Sequence, residues 1–227
     1  MRVGVLGGTF DPVHLGHLHV ADRTRRLFGF SEVHFVVASS APHKPKHALI
    51  PFNHRYAMVT LATAGHRRFL PSMIELEPPA SPFSIDTLGK LARRAPGREL
   101  YFIAGGDSLL DVMNWRRSEE LLGSYNFVFV TRPGSGSLAE IDPAGALPAG
   151  ARARLLDLRG LSRGSLRSRI RPGRRRRGPL VYLLDVAALD VSSSQVRKLA
   201  AAGKRISHLV PHAVREYIQK LGVYGER

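Results

Sequence analysis

Apolar residues in this chain fall into short unbroken runs separated by stretches where they recur every three or four positions. Arg2 to Leu6, Val33 to Ala38, Leu100 to Ala104, Asn126 to Val130 and Leu180 to Leu184 are rich in apolar, β-branched and aromatic residues and read as buried strands. Pro71 to Leu76 reads as a shorter strand. The helical spacing comes in between. Leu18, Val20, Ala21 and Leu27 suit one face of a helix that follows Gly16, and Phe52 to about Ala64 continues as a second. A third helix starts near Ser84 with that serine as cap and Ile85, Leu88 and Leu91 on its buried face. Residues 208–218 form an amphipathic helix entered through Pro211. Strand, helix, strand in this succession implies right-handed parallel crossovers, hence an α/β fold with a doubly wound parallel sheet. Ligands in such sheets bind beyond the strand C-termini.

Length and composition narrow this picture. At 227 residues one domain is the default, and the chain is long enough to bury a sizeable core. No stretch approaches the roughly 20 apolar residues of a membrane span. The N-terminus enters a strand within two residues, leaving no room for a signal peptide, and cysteine is absent, so a cytoplasmic enzyme is expected. The net charge of +16 raises nucleic acid as a partner until its distribution is considered. Eleven arginines against the single acid Asp157 lie between Ala151 and Pro179, so most of the excess is local. Within the Gly-, Ala- and Arg-rich stretch 134–179 a solvated, partly disordered insertion is favoured over a nucleic-acid-binding surface.

Candidate chemistry gathers where the strands end. After the first strand comes Gly7-Gly8-Thr9-Phe10-Asp11-Pro12-Val13-His14-Leu15-Gly16-His17. Adjacent glycines let a backbone turn sharply and approach a ligand, and His17 in the first turn of a helix faces the place where an anion is favoured. GxGxxG and GxxxxGK[ST] are both absent, which removes support for a dehydrogenase or a phosphate-loop ATPase. A His-x-x-His pair without a nearby carboxylate or cysteine is poor zinc spacing, so no metal site held by the protein is expected. Lys44, in a proline-broken loop after the second strand, hangs over the same edge. Gly105-Gly106-Asp107-Ser108 ends the Leu100 strand, and Asp107 serves equally as a helix cap or as a nucleotide contact. Ser192-Ser193-Ser194 with Arg197 one turn later makes a phosphate cradle as well as a cap. Trp115 is the only tryptophan, with polar neighbours Asn114, Arg116 and Arg117 that place it at an exposed edge and suit an acidic ligand.

The opening motif and the late Ser-Ser-Ser-x-x-Arg resemble the two signatures of the His-x-Gly-His nucleotidyltransferases. Pro42-His43-Lys44, Pro51-Phe52-Asn53-His54-Arg55-Tyr56-Ala57-Met58, Gly105-Gly106-Asp107-Ser108, Thr131-Arg132-Pro133-Gly134 and the closing Leu209-Val210-Pro211 helix narrow the likeness to the bacterial nicotinate mononucleotide adenylyltransferases. The likeness covers Arg2 to Arg132 and Leu180 to Tyr224, leaving the arginine-rich insertion outside it. Phe83 and Ser84 stand where that family has Tyr-Thr, and an extra proline, Pro82, precedes them.

The resemblance implies a single Rossmann-like nucleotidyltransferase domain that joins ATP and nicotinate mononucleotide, with Mg²⁺ accompanying ATP. It makes His14, His17, Lys44 and Arg197 catalytic, and gives ATP to Gly7, Gly8, Thr9, Phe10, His14, His17, Gly105, Asp107, Arg132, Ser193, Ser194 and Arg197. Nicotinate mononucleotide falls to Lys44, Phe83, Ser84, Trp115 and Arg116. The rival expectations are a nicotinamide mononucleotide or phosphopantetheine acceptor, and a nucleic-acid-binding protein on a transferase fold. Oligomeric state, including a homo-oligomer, stays open.

Overall fold

The computed structural model describes residues 1–40, 49–131, 142–143, 145–170, 178–186 and 189–225. Seven parallel strands form one sheet: β1 (Arg2–Gly8), β2 (Glu32–Val37), β3 (Phe69–Ser72), β4 (Glu99–Gly105), β5 (Asn126–Thr131), β6 (Leu155–Asp157) and β7 (Val181–Asp185), in the order β3-β2-β1-β4-β5-β7-β6. All pairs are parallel, as the doubly wound expectation requires. From β1 the chain winds outward through β2 to β3, then returns to lay β4 on the other side of β1. The winding direction therefore switches between β1 and β4, where crossover connections part and leave a crevice at the strand C-termini.

Helices cover both faces. α1 (Leu15–Phe28), α2 (Phe52–Thr63), α3 (Ser84–Arg94) and α4 (Asp107–Asp111, continued by a 3-10 turn) are followed by α5 (Ser118–Ser124), α6 (Ala149–Arg152), α7 (Arg163–Ile170), α8 (Ser193–Ala201) and α9 (His212–Leu221). In α1, Leu18, Ala21, Thr24 and Phe28 form the buried stripe, and Gly29 ends the helix at φ 68°, a left-handed conformation open to glycine without strain. Alternation along the strands divides the core: Val3 and Val5 face the layer of α3 and α5, whereas Leu6, Val33, Phe35 and Val37 face that of α1, α2 and α9.

Some sequence expectations shift. The third strand ends at Ser72 because the backbone turns there, with the Leu76 and Glu77 N–H groups donating to Met73 and Ile74. Pro71 is tolerated within it since β3 is an edge strand. Ser84 does not cap α3; it is the first helical residue, while Ser81 Oγ accepts from Phe83 N–H at 3.3 Å and donates to Asp86 at 2.7 Å. Asp107 makes no capping bond either: Gly106 is the N-cap and Asp107 the first helical residue, at the edge of the cleft.

The stretch expected to be a solvated insertion is folded where it is described. β6 extends the sheet beyond β7, and Leu147, Ala151, Leu158 and Ile170 are buried. Its arginines partly explain why: Arg154 donates to the carbonyls of Gly150, Leu122 and Pro179, and Arg159 pairs with Asp157. A basic composition had hidden an apolar face and a set of carbonyl caps. Residues 134–141, 144 and 171–177 of that stretch lie outside the described residues.

Candidate active site

β1 delivers its glycines to the switch point. A Cβ at Gly7 would lie 2.9 Å from the Phe102 ring, so the close approach of β1 to β4 requires glycine there. Beyond it the chain turns through Phe10, at φ 47°, and the cis Asp11–Pro12 peptide. His14 precedes the first residue of α1, and its backbone N–H donates to His17 Nδ1 at 3.2 Å, while the two imidazoles stack with centroids 3.7 Å apart. Since His17 Nδ1 accepts, the ring proton of the neutral imidazole sits on Nε2. Gly16 keeps this pair together: a Cβ there would stand 3.0 Å from both His14 Nδ1 and Val191 Cγ1.

The far end of the chain closes on the same turn. Ser192 caps α8 by accepting from Gln195 N–H at 3.1 Å, which leaves the next two serines for other partners. Ser193 Oγ donates to the Pro12 carbonyl at 2.9 Å, and Arg197 donates to the Asp11 carbonyl at 2.7 Å and to Ser194 Oγ at 3.3 Å. Together they enclose a hollow of about 490 Å³ lined by Gly7, Gly8, Thr9, His14, His17, Gly105, Asp107, Ser193, Ser194 and Arg197. The two distant signatures share one cavity, with imidazole, hydroxyl and guanidinium groups on its walls and a helix N-terminus on either side.

A second hollow of about 350 Å³ adjoins the first, sharing Gly7, Gly8, Thr9, Gly105, Asp107 and Ser108 as its inner wall. Its outer wall holds Phe83, Ser84, Trp115 and Arg116. Trp115 is half-buried and braced edge-on against Phe102 with centroids 5.8 Å apart. The Arg116 guanidinium lies 4.7 Å from the centre of the Phe83 ring, a cation–π contact. Arg117 is spent on a two-bond pair with Glu120, so Arg116 alone carries the positive potential expected of both. It is the only cation among the described residues that line this lobe, against the carboxylates Glu75, Asp107 and Asp111.

The expected site residues are thus brought together, with three exceptions. Phe10 is 1% exposed and lines neither hollow; its ring packs on His17 and Phe35, because a turn this tight needs an apolar anchor beneath it. Its contribution to the site is the shape of the turn. Lys44 and Arg132 lie outside the described residues.

Two residues were missed. Glu75 is buried at the second lobe, where its carboxylate accepts from Ser39 N–H at 2.8 Å and Ser39 Oγ at 3.2 Å, and burial raises its pKa above the ordinary value. Glu75 falls inside the Pro71 to Leu76 run read as a strand, and no local pattern there signals a buried carboxylate. Arg55, read only as part of the Pro51 to Met58 motif and given no role, is 2% exposed and donates to the Thr9, Ala38 and Ile50 carbonyls. It ties the loops after β1 and β2 to α2.

Among the described residues no helix is long and apolar enough to cross a membrane, and no group of three or more His, Cys, Asp or Glu forms a metal cage.

Comparison with known proteins bears on this cleft. The cytidylyltransferase-like family profile matches residues 5–199. A curated relative from Pelobacter propionicus, named "Probable nicotinate-nucleotide adenylyltransferase", is 41% identical over 228 residues, spanning 100% of this chain and 99% of its own. One of the same name from Geobacter metallireducens is 40% identical over 99% of this chain and 98% of its own. These alignments run through 134–179, which corrects the expectation that this stretch stands outside the likeness. In fold, the chain is similar to a Plasmodium falciparum nicotinic acid mononucleotide adenylyltransferase complexed with NaAD, at TM-score 0.69 and 21% identity over 98% of this chain and 97% of that one. Sequence match over the whole length, the switch-point cleft and the shared topology converge: the chain belongs to the nicotinate-nucleotide adenylyltransferases, within the cytidylyltransferase-like family.

Proposed function

We propose that this enzyme transfers the adenylyl group of ATP to nicotinate mononucleotide, forming deamido-NAD and pyrophosphate. The observation that carries the reading is the two-lobed cleft, in which one lobe offers Arg197, two imidazoles, serine hydroxyls and helix N-termini to a polyphosphate and the other offers an aromatic wall and Arg116 to a flat acid. Asp107, with the backbone of Gly7 to Thr9 and Gly105, lies between the lobes where the two substrates meet.

A phosphate oxygen of the mononucleotide attacks the α-phosphorus of ATP in line; that P–O bond forms as the bond to the β-phosphate breaks, and pyrophosphate leaves. Phosphate is already a competent nucleophile, so positioning and charge stabilisation dominate. His17 donates from Nε2 to the polyphosphate beside His14, while Arg197, Ser193 and Ser194 hold it from the opposite wall. Lys44 and Arg132, which follow β2 and β5 in the chain, add charge. Ser84 and Trp115 orient the pyridine ring, with Phe83 and Arg116 at its rim. Mg²⁺ asks for only one or two carboxylates beside substrate phosphates, and Asp107 is the carboxylate lining both lobes, so the donor set fits a cation that arrives on ATP. Bound there, Mg²⁺ would neutralise charge on the polyphosphate. The substrates and the cysteine-free chain fit work in the cytoplasm.

Turnover with three acceptors tests this reading. Nicotinate mononucleotide is expected to exceed nicotinamide mononucleotide and phosphopantetheine in kcat/KM; equal or faster reaction of phosphopantetheine overturns it. Arg116, the one cation among the described residues of its lobe, is the observation that favours the acid over the amide. Trp115→Ala is expected to raise KM for the mononucleotide about tenfold and to leave KM for ATP within about twofold, because stacking on one ring is lost. Equal rises in both constants would place Trp115 in general packing instead.

A further inference from the structure

We propose that Tyr224 is a positioning residue for adenylyl transfer: its hydroxyl holds the buried Asp11 carboxylate, and through Asp11 it fixes the Arg197 guanidinium on the wall of the larger hollow. The role rests on reading that hollow as the ATP polyphosphate site.

Asp11 is an unusual group to find here. It is 1% exposed and lies in the turn that carries the two histidines, so its negative charge by itself opposes any phosphate bound nearby. Buried carboxylates normally gather several donors. Of its two oxygens, Oδ1 accepts one hydrogen bond, from the Tyr224 hydroxyl at 2.7 Å, and Oδ2 makes none. Arg197 Nη1 stands 4.0 Å from Oδ2 and donates to the Asp11 backbone carbonyl at 2.7 Å. Arg55 approaches from below through the Thr9 carbonyl at 2.8 Å. The carboxylate therefore works as a counter-charge between two guanidiniums, and its orientation depends on the single phenol that reaches it.

That phenol comes from 213 residues away. After α9 the chain folds back, and the Tyr224 ring packs against the core that also holds Phe10 and Val13. Burial and the neighbouring Asp11 push its pKa far above the ordinary phenol value, so it remains a donor throughout the working range. Tyr224 lines neither hollow. Its influence on ATP is thus indirect, passing through Asp11 to Arg197, and should fall on ATP rather than on the acceptor.

Tyr224→Phe removes the hydroxyl and keeps the ring. ATP affinity measured by calorimetry is expected to weaken about tenfold, the scale of one hydrogen bond to a charged group, while KM for the acceptor stays within about twofold. Asp11→Asn should weaken ATP similarly, and the double variant should be no worse than the weaker single one, since both cut the same link. Unchanged ATP affinity, parallel losses for both substrates, or additive losses in the double variant would overturn the proposal. So would a fall in melting temperature beyond about 10 °C with ATP affinity intact at lower temperature, which marks a purely structural role. Because calorimetry with ATP needs no acceptor, a failure of nicotinate mononucleotide as substrate would be seen separately.

Discussion

His17→Ala is expected to lower kcat/KM by roughly 10² to 10³-fold, the cost of removing one preorganised donor from a developing negative charge. The geometry specifies which atom matters. His14 N–H donates to His17 Nδ1, so the backbone fixes the tautomer and the neutral ring carries its proton on Nε2, in a residue that lines the larger hollow. Charge on the departing pyrophosphate grows as its bond to the α-phosphorus breaks, and a donor held in place strengthens most as that charge appears. The loss should therefore appear in kcat as well as in KM for ATP. Truncation also leaves the His14 N–H without this acceptor, a cost of about 1 kcal/mol, which in a chain of this size lowers the melting temperature by only a few degrees. Pyrophosphate release measured beside a thermal melt separates the two effects. A variant that keeps more than about a tenth of wild-type activity would contradict the role given to His17.

The sequence made some of this architecture visible and hid other parts for identifiable reasons. Buried parallel strands are continuous apolar runs, so β1, β2, β4, β5 and β7 stand out. β3 and β6 are the sheet's edges and only four and three residues long. A short edge strand needs little apolar sequence of its own, and the arginines around β6 mask the leucines that bury it. The two turns that meet at the larger hollow were legible because glycine, histidine and serine gather there at a strand end and at helix starts. Residues that support those turns from below were not. Arg55, Glu75 and Tyr224 are defined by distant partners, Ala38 at 17 positions, Ser39 at 36 and Asp11 at 213, and nothing beside them in the chain distinguishes a buried polar group from a solvated one. Phe10 illustrates the converse: it belongs to the signature, yet its side chain serves the core and only its backbone shapes the site.

Arg55→Met should destabilise the fold by about 3–5 kcal/mol, the range for breaking a buried ionic group so that its partners are stranded. At 2% exposure the guanidinium has no water to fall back on. Its Nη1 donates to Thr9 O at 2.8 Å and Ala38 O at 2.7 Å, and its Nε to Ile50 O at 3.1 Å. Met fills a similar volume but offers no donor, so three carbonyls lose a partner and the carboxylates of Asp11 and Glu75 lose a neighbouring positive charge. Burial lowers the Arg55 pKa, with both carboxylates opposing the shift, yet a guanidinium starts high enough to stay charged at any working pH. The loss should therefore be independent of pH between 6 and 9 (an approximate working range). Arg55→Lys should recover only part of it, because an ammonium lacks the planar fork that reaches carbonyls in different directions. For a chain of this size the melting temperature should fall on the order of 10 °C, and urea midpoints should fall with an unchanged m-value. The same experiment links stability to catalysis. Thr9 and Ala38 belong to the loops after β1 and β2, and both line the smaller hollow. If Arg55 holds those loops, the Met variant must lose turnover even at temperatures where it remains fully folded; a loss of less than about 1 kcal/mol together with normal kinetics would show that the two loops are held by other means.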